Sequence, residues 1–162
     1  TFRDFFIKKF NNISQNIAHF GFSLLILSIL FNSLFSSEII TNLKVGETFE
    51  DLNTKIILKS IEQKEEKNFK SIVANFNIEN SKGIIENLSP ELRIYNQPNI
   101  ITSEADIKTT MMSDKFIVIN VVQNQDYFNV RYQVKPFMLW IWLSVLLISF
   151  GGLLSLFKKN YE

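Results

Sequence analysis

His19 is the one histidine in this 162-residue chain, and it stands in a run, residues 17–35, that contains no Asp, Glu, Lys or Arg. An ionisable group within an apolar span of that length is costly to hold and marks function more often than packing. Neutral imidazole offers two chemistries there. One ring nitrogen can serve as an axial ligand of haem iron. Alternatively, the ring hydrogen-bonds a neighbouring helix or a lipid headgroup. A haem held by two histidines cannot be assembled from a chain with one. If His19 is a ligand, the second comes from another polypeptide or from a part of the protein outside this chain. Cysteine is absent, so there is no disulfide framework and no thiolate metal site. Residues 36–136 carry no Gly-rich phosphate loop, no carboxylate motif and no nucleophile signature. No catalytic residue is assigned, and the chain is not expected to be catalytic on its own.

What must position His19 is an apolar element. Residues 17–35 and 137–157 both lack charge, whereas residues 36–136 hold 14 acidic and 12 basic side chains. Runs of this length match the roughly 20 residues needed to cross a bilayer. The pattern excludes an ordinary soluble globule, and 14% aromatic residues exclude a disordered chain. A net charge of +1 leaves no footprint for nucleic acid. Lys outnumbers Arg 14 to 3, a bias that reads as an AT-rich genome and gives individual lysines little functional weight.

Arg3, Lys8 and Lys9 precede the first run, and Lys158 and Lys159 follow the second. Short basic flanks stay inside. Residues 1–16 are therefore expected to be a cytoplasmic basic segment, 17–35 the first transmembrane helix, 36–136 an external domain, 137–157 the second helix and 158–162 a cytoplasmic tail. A secretory signal peptide competes for the first run. Its length, together with His19 and Asn32 inside it, argues against cleavage. Trp140 and Trp142 follow Lys135-Pro136 and suit an aromatic belt at the outer membrane interface. Pro136 fits the first turn of the second helix. The chain begins at Thr1 and reads as a piece of something longer, or as a processed product.

Both spans carry small residues at helical spacing: Ala18, Gly21, Leu25, Ser28 and Asn32 on the first, Ser144, Ile148, Gly151 and Ser155 on the second. Such stripes let helices approach closely. Two spans alone enclose little interior, so the stripes are expected to dock on helices of a larger membrane partner rather than merely on each other. Between the spans the period is two. Phe128, Val130, Tyr132 and Val134 alternate with Asn129, Arg131 and Gln133 in a half-buried strand. Residues 115–123, 54–62 and 69–78 are strand-like, and 83–87 and 91–95 are shorter candidates. About six strands between turn signals predict a small antiparallel barrel or sandwich. The fold class is thus an α+β membrane protein in which two transmembrane helices flank an external β-domain.

Several strings coincide with this layout. Ala18-His19-Phe20-Gly21 opens the first helix. Ser89-Pro90-Glu91-Leu92-Arg93-Ile94-Tyr95 is followed by Thr102-Ser103-Glu104-Ala105-Asp106-Ile107. Lys135-Pro136-Phe137 leads into Trp140-Ile141-Trp142 and then Gly151-Gly152-Leu153-Leu154-Ser155. In this order and spacing, from about Asn16 to Phe157, the chain resembles the C-terminal part of the CcmF family, the haem lyase subunit of system I cytochrome c maturation. The resemblance implies attachment of haem to apocytochrome c on the outer face of the membrane, with the haem delivered by the chaperone CcmE. It implies a haem b in the membrane, with His19 as one axial ligand. It also implies an upstream part of the same protein, or a companion subunit, that carries the Trp-rich segment and the other haem histidines. The expected location is the bacterial inner membrane, or the mitochondrial inner membrane. Gln15-Asn16, Leu139 and Ser144 depart from residues common in that family. From the residues alone, a two-span sensor or a membrane-anchored assembly factor with an external β ligand-binding domain remains as the alternative class.

Overall fold

The computed structural model describes residues 2–81, 83–122 and 125–156, with residues 2–12 described by backbone alone. Lys158 and Lys159, and the side chains of Arg3, Lys8 and Lys9, lie outside the described set. Two compact units are present. One comprises the two helices with Thr109–Asp114, and the other comprises Ser37–Lys108 with Lys115–Val134.

In the helical unit, α1 runs Phe2–Phe35 and α2 runs Met138–Leu156. Both contain windows long and apolar enough to cross a membrane, Ile13–Phe35 and Met138–Leu156. The α1 window opens four residues before the run at 17–35, because uncharged Ile13–Asn16 continue the helix.

The helices are antiparallel: Ala18 meets Gly151, Gly21 meets Ile148, and Phe31 meets Phe137. Most of the two small-residue stripes, which were expected to dock on a larger membrane partner, face each other here, with Gly21 and Ser28 on one side and Ser144, Ile148 and Gly151 on the other, while Ser155 is exposed. Ser14, Ser28 and Ser144 are buried between the helices. A Cβ on Gly151 would lie 2.8 Å from the Ala18 nitrogen and 2.9 Å from the Ser14 carbonyl oxygen. A Cβ on Gly21 would lie 3.0 Å from the Ile148 nitrogen. The physical reason is approach distance. Without a hydrophobic drive between helices in lipid, association depends on close packing, and two facing Gly positions permit it here. The buried Ser144 hydroxyl donates to the Trp140 carbonyl one turn back at 2.6 Å.

The strand-to-helix switch also differs from expectation. Pro136 ends a strand, and Phe137 takes φ +59° before α2 begins. A left-handed non-glycine residue costs about 1–2 kcal/mol. The Phe137 ring, 5.1 Å from that of Phe31, and the Asn32 side-chain amide donating to the Pro136 carbonyl at 2.6 Å offset that cost.

The second unit is a β-sandwich. Its strands are β1 (Ser37–Leu43), β2 (Thr48–Asp51), β3 (Thr54–Glu65), β4 (Phe69–Asn80), β5 (Ile85–Leu88), β6 (Glu91–Asn96), β7 (Asn99–Glu104), β8 (Asp106–Thr109), β9 (Ser113–Val121) and β10 (Phe128–Pro136). One sheet has the order β1-β10-β9-β8; the other is β2-β3-β4-β6-β7, with β5 also on β4. The described residues thus form ten strands where about six were expected. Strands β1, β2, β7 and β8 are short or polar edge segments without a clear period.

The core forms where alternating residues of the two sheets meet: Ile56, Phe76 and Ile78 from one, Ile117, Val130 and Tyr132 from the other. A bulge between Leu58 and Ser60 shifts the inward parity of β3. Hence Ile56 and Leu58 point inward before it and Ile61 after it, a switch that simple alternation hides.

Candidate functional site

The helical unit carries the candidate site on its outer surface. His19 lies two residues, about 200°, around α1 from Gly21, which faces α2. The imidazole is accordingly exposed, on the side away from the helix pair's own seam. Around it Phe20, Phe22 and Ile26 are 62%, 56% and 54% exposed. Gln15 and Ser23, one turn to either side, are exposed as well. The Ser23 hydroxyl donates to the His19 carbonyl at 2.9 Å, so that serine satisfies itself on the helix backbone. Among the described residues, no group hydrogen-bonds the ring itself. Within the Ile13–Phe35 window His19 is the seventh residue, about 9 Å from its N-terminal end at 1.5 Å per residue.

The donor set suits a haem on one side only. One ring nitrogen is presented from a rigid helix, flanked by aromatic and aliphatic side chains that can cover a porphyrin face. Among the described residues no group of three or more His, Cys, Asp or Glu side chains is placed to hold a metal ion. Were a haem to bind at His19, a second protein ligand would have to come from outside the described residues.

The two tryptophans differ. Trp140 donates from its indole nitrogen to the Met111 carbonyl at 2.8 Å, whereas Trp142 is 63% exposed on α2. The Trp140 bond fixes that ring within the first turn of α2.

In the sandwich the structure assembles a charged cluster that strand patterns do not show. Glu86 on β5, only 11% exposed at its side chain, accepts from Lys115 of β9 at 2.8 Å and has Lys108 of β8 at 3.8 Å. The cluster ties one sheet to the other. Beside it, burial pushes the Tyr132 hydroxyl up to about 12, and the negative charge of Glu86 adds to the rise. On the other sheet Arg93 pairs with Glu91 and lies over the Phe69 ring at 5.2 Å. The hydrogen bond to Glu91 raises its already high pKa. No local spacing signals the Glu86 cluster, since its partners are 22 and 29 residues away; only the pairing of β8 and β9 brings them in.

A helix pair of membrane-spanning length carrying a two-sheet β-sandwich defines the class: a membrane protein with an inserted β-sandwich module. Comparison places it further. The CcmF C-terminal β-sandwich family matches residues 34–136, and the chain belongs to this family. The cytochrome c-type biogenesis protein ccl1 of Rhodobacter capsulatus is 37% identical over 119 residues, covering 74% of this chain and 18% of that protein. The cytochrome c-type biogenesis protein CcmF of Pseudomonas fluorescens is 30% identical over 148 residues, 91% of this chain and 22% of its own length. A solved structure, cytochrome c heme lyase CcmF, has the same fold with a TM-score of 0.71 at 17% identity, covering 92% of this chain and 25% of that one. The chain thus spans about a fifth of the curated relatives it matches.

Proposed function

We propose that this chain is the C-terminal portion of a cytochrome c maturation haem lyase and that His19 supplies one axial ligand of a haem b in the membrane. The observation that carries the reading is the placement of the single imidazole. It is turned out of the helix pair, into an apolar surface where an unpaired polar ring is costly unless something binds it. Family membership supplies the haem context, and the need for a second ligand agrees with the chain's short span of its relatives.

In this reading one His19 nitrogen holds the iron. Phe20, Phe22 and Ile26 would cover the porphyrin face on the His19 side and keep water from it. When bound there, such a haem supplies one-electron redox chemistry. With the basic flanks inside, both termini are cytoplasmic and the sandwich is external, in a bacterial inner membrane or the mitochondrial equivalent. Trp140 and Trp142 then stand at the outer interface.

The sandwich is proposed to support the external haem site or to dock the haem chaperone CcmE or apocytochrome c. It holds no histidine or cysteine with which to bind haem or exchange thiols itself. A crosslinking map of the assembled system is expected to show residues 36–136 against one of these partners, and a map with neither would remove this part of the proposal. Haem content decides the larger reading. The intact protein is expected to purify with a b-type haem whose reduced spectrum is visible without added haem. A colourless, folded protein would instead point to a sensor or an assembly factor.

A further inference from the structure

The strongest feature that the proposed function leaves unused is a hairpin tip in the helical unit. Thr110 and Ser113 close it tightly. The Thr110 amide donates to the Ser113 carbonyl at 3.0 Å, the Thr110 hydroxyl donates to the same carbonyl at 2.7 Å, and the Ser113 amide donates to the Thr110 hydroxyl at 3.1 Å. The two residues left at the apex are Met111 and Met112, 68% and 63% exposed. Two large apolar side chains at the apex of a tight polar turn have no role in the fold of that turn.

The backbone of the apex is pinned to α2. The Trp140 indole donates to the Met111 carbonyl at 2.8 Å, and the Phe137 amide donates to the Met112 carbonyl at 2.9 Å. These two bonds set the depth of the tip. Helix α2 has 19 residues, about 28 Å at 1.5 Å per residue, against a hydrocarbon core of about 30 Å. In the sequence the uncharged run 137–157 is closed by Lys158 and Lys159, so Met138 stands near the edge of the core when the helix spans. A tip bonded to residues 137 and 140 stands at the same edge, beside an indole of the kind that prefers that layer. The partner end of α1 agrees. Asn32 bonds the Pro136 carbonyl at this level, and Phe35 next to it is 64% exposed.

We propose that Met111 and Met112 form a lipid-contacting wedge that inserts into the headgroup–acyl boundary at the N-terminal end of α2. The occupant is lipid, not protein, because the tip has the depth, the apolar apex and a rim of Thr109, Thr110 and Ser113 that this layer accepts, and the carboxylate that follows, Asp114, has its Oδ1 buried. The inference requires α2 to cross the membrane but is independent of haem ligation by His19.

The test uses the intact protein reconstituted in phosphatidylcholine nanodiscs. M112C is labelled with an environment-sensitive NBD dye and compared with the same preparation lacking M112C, so that labelling elsewhere is subtracted. The expected result is blue-shifted emission that lipids spin-labelled high on the acyl chain quench strongly and aqueous iodide quenches at least severalfold less than it quenches free dye. Iodide access equal to that of free dye, with no lipid quenching, would overturn the wedge. Protection from both quenchers would overturn it too, since it would mean that protein covers the tip. The haem spectrum of the same sample should be unchanged in every case, which separates failure of this inference from failure of the His19 reading.

Discussion

Replacing His19 with alanine in the intact protein is expected to remove the reduced b-type absorption while leaving the helix pair in place. The two halves of that expectation have separate reasons. His19 is turned away from the seam built from Ser14, Gly21, Ser28, Ser144 and Gly151, so its ring contributes nothing to the packing of α1 on α2. Alanine is the best helix former, so α1 keeps its geometry. Loss of the imidazole removes the chain's single candidate nitrogen ligand. A low-spin haem that loses an axial histidine loses its characteristic spectrum and commonly the haem as well.

Exogenous imidazole added to the alanine variant should restore a large part of the signal, because the space left by the ring is open to a small ligand. A purely structural histidine would show no such rescue. A wild-type spectrum in His19→Ala would end the ligand assignment. The contrast with the seam is informative. Gly151→Leu should disturb helix association without touching the ligand directly, since its Cβ alone would already sit 2.8 Å from the Ala18 nitrogen.

The second large effect lies in the sandwich. Glu86→Gln is expected to destabilise the β-unit by about 2–4 kcal/mol, because it leaves the Lys115 ammonium, 18% exposed, without a countercharge. A urea or thermal melt followed by β-sheet circular dichroism reads the loss. Removing both charges in Glu86→Gln with Lys115→Met should recover most of it, since the penalty arises from an unpaired buried charge rather than from a missing attraction. A single variant within about 0.5 kcal/mol of wild type would show that the pair is solvated and structurally idle.

Tyr132 provides an internal reporter of the same cluster. Its folded-state value, about 12, lies above the ordinary tyrosine value of 10. Its contribution is therefore fully present below pH 10 and is lost as pH rises toward 12, where the unfolded chain gives up a proton that the folded one keeps. Without the Glu86 charge this hydroxyl should titrate lower but still above 10, because burial is the larger cause.

Much of this architecture was legible in the residues themselves. Charge-free runs of membrane length at either end, and a strict two-residue period in 128–134, define a pair of spans around a β-domain, because burial in lipid and burial on one sheet face each impose a composition. The lone histidine could likewise be singled out by type and location. The number of strands could not. Strands β1, β2, β7 and β8 exist because neighbours pair with them, and the bulge after Leu58 reverses the inward face of β3 partway along.

The direction in which each side chain looks belongs to the tertiary structure. Small residues at helical spacing are compatible with any close-packed partner, and only the approach of Gly21 to Ile148 and of Gly151 to Ala18 settles that they serve each other. That choice turns His19 outward. The same holds for Glu86 with Lys115, and for the Met111–Met112 tip held by Trp140 and Phe137. A local sequence determines what a segment can bury, whereas the long-range partner determines which face is buried and at what depth the remainder is displayed.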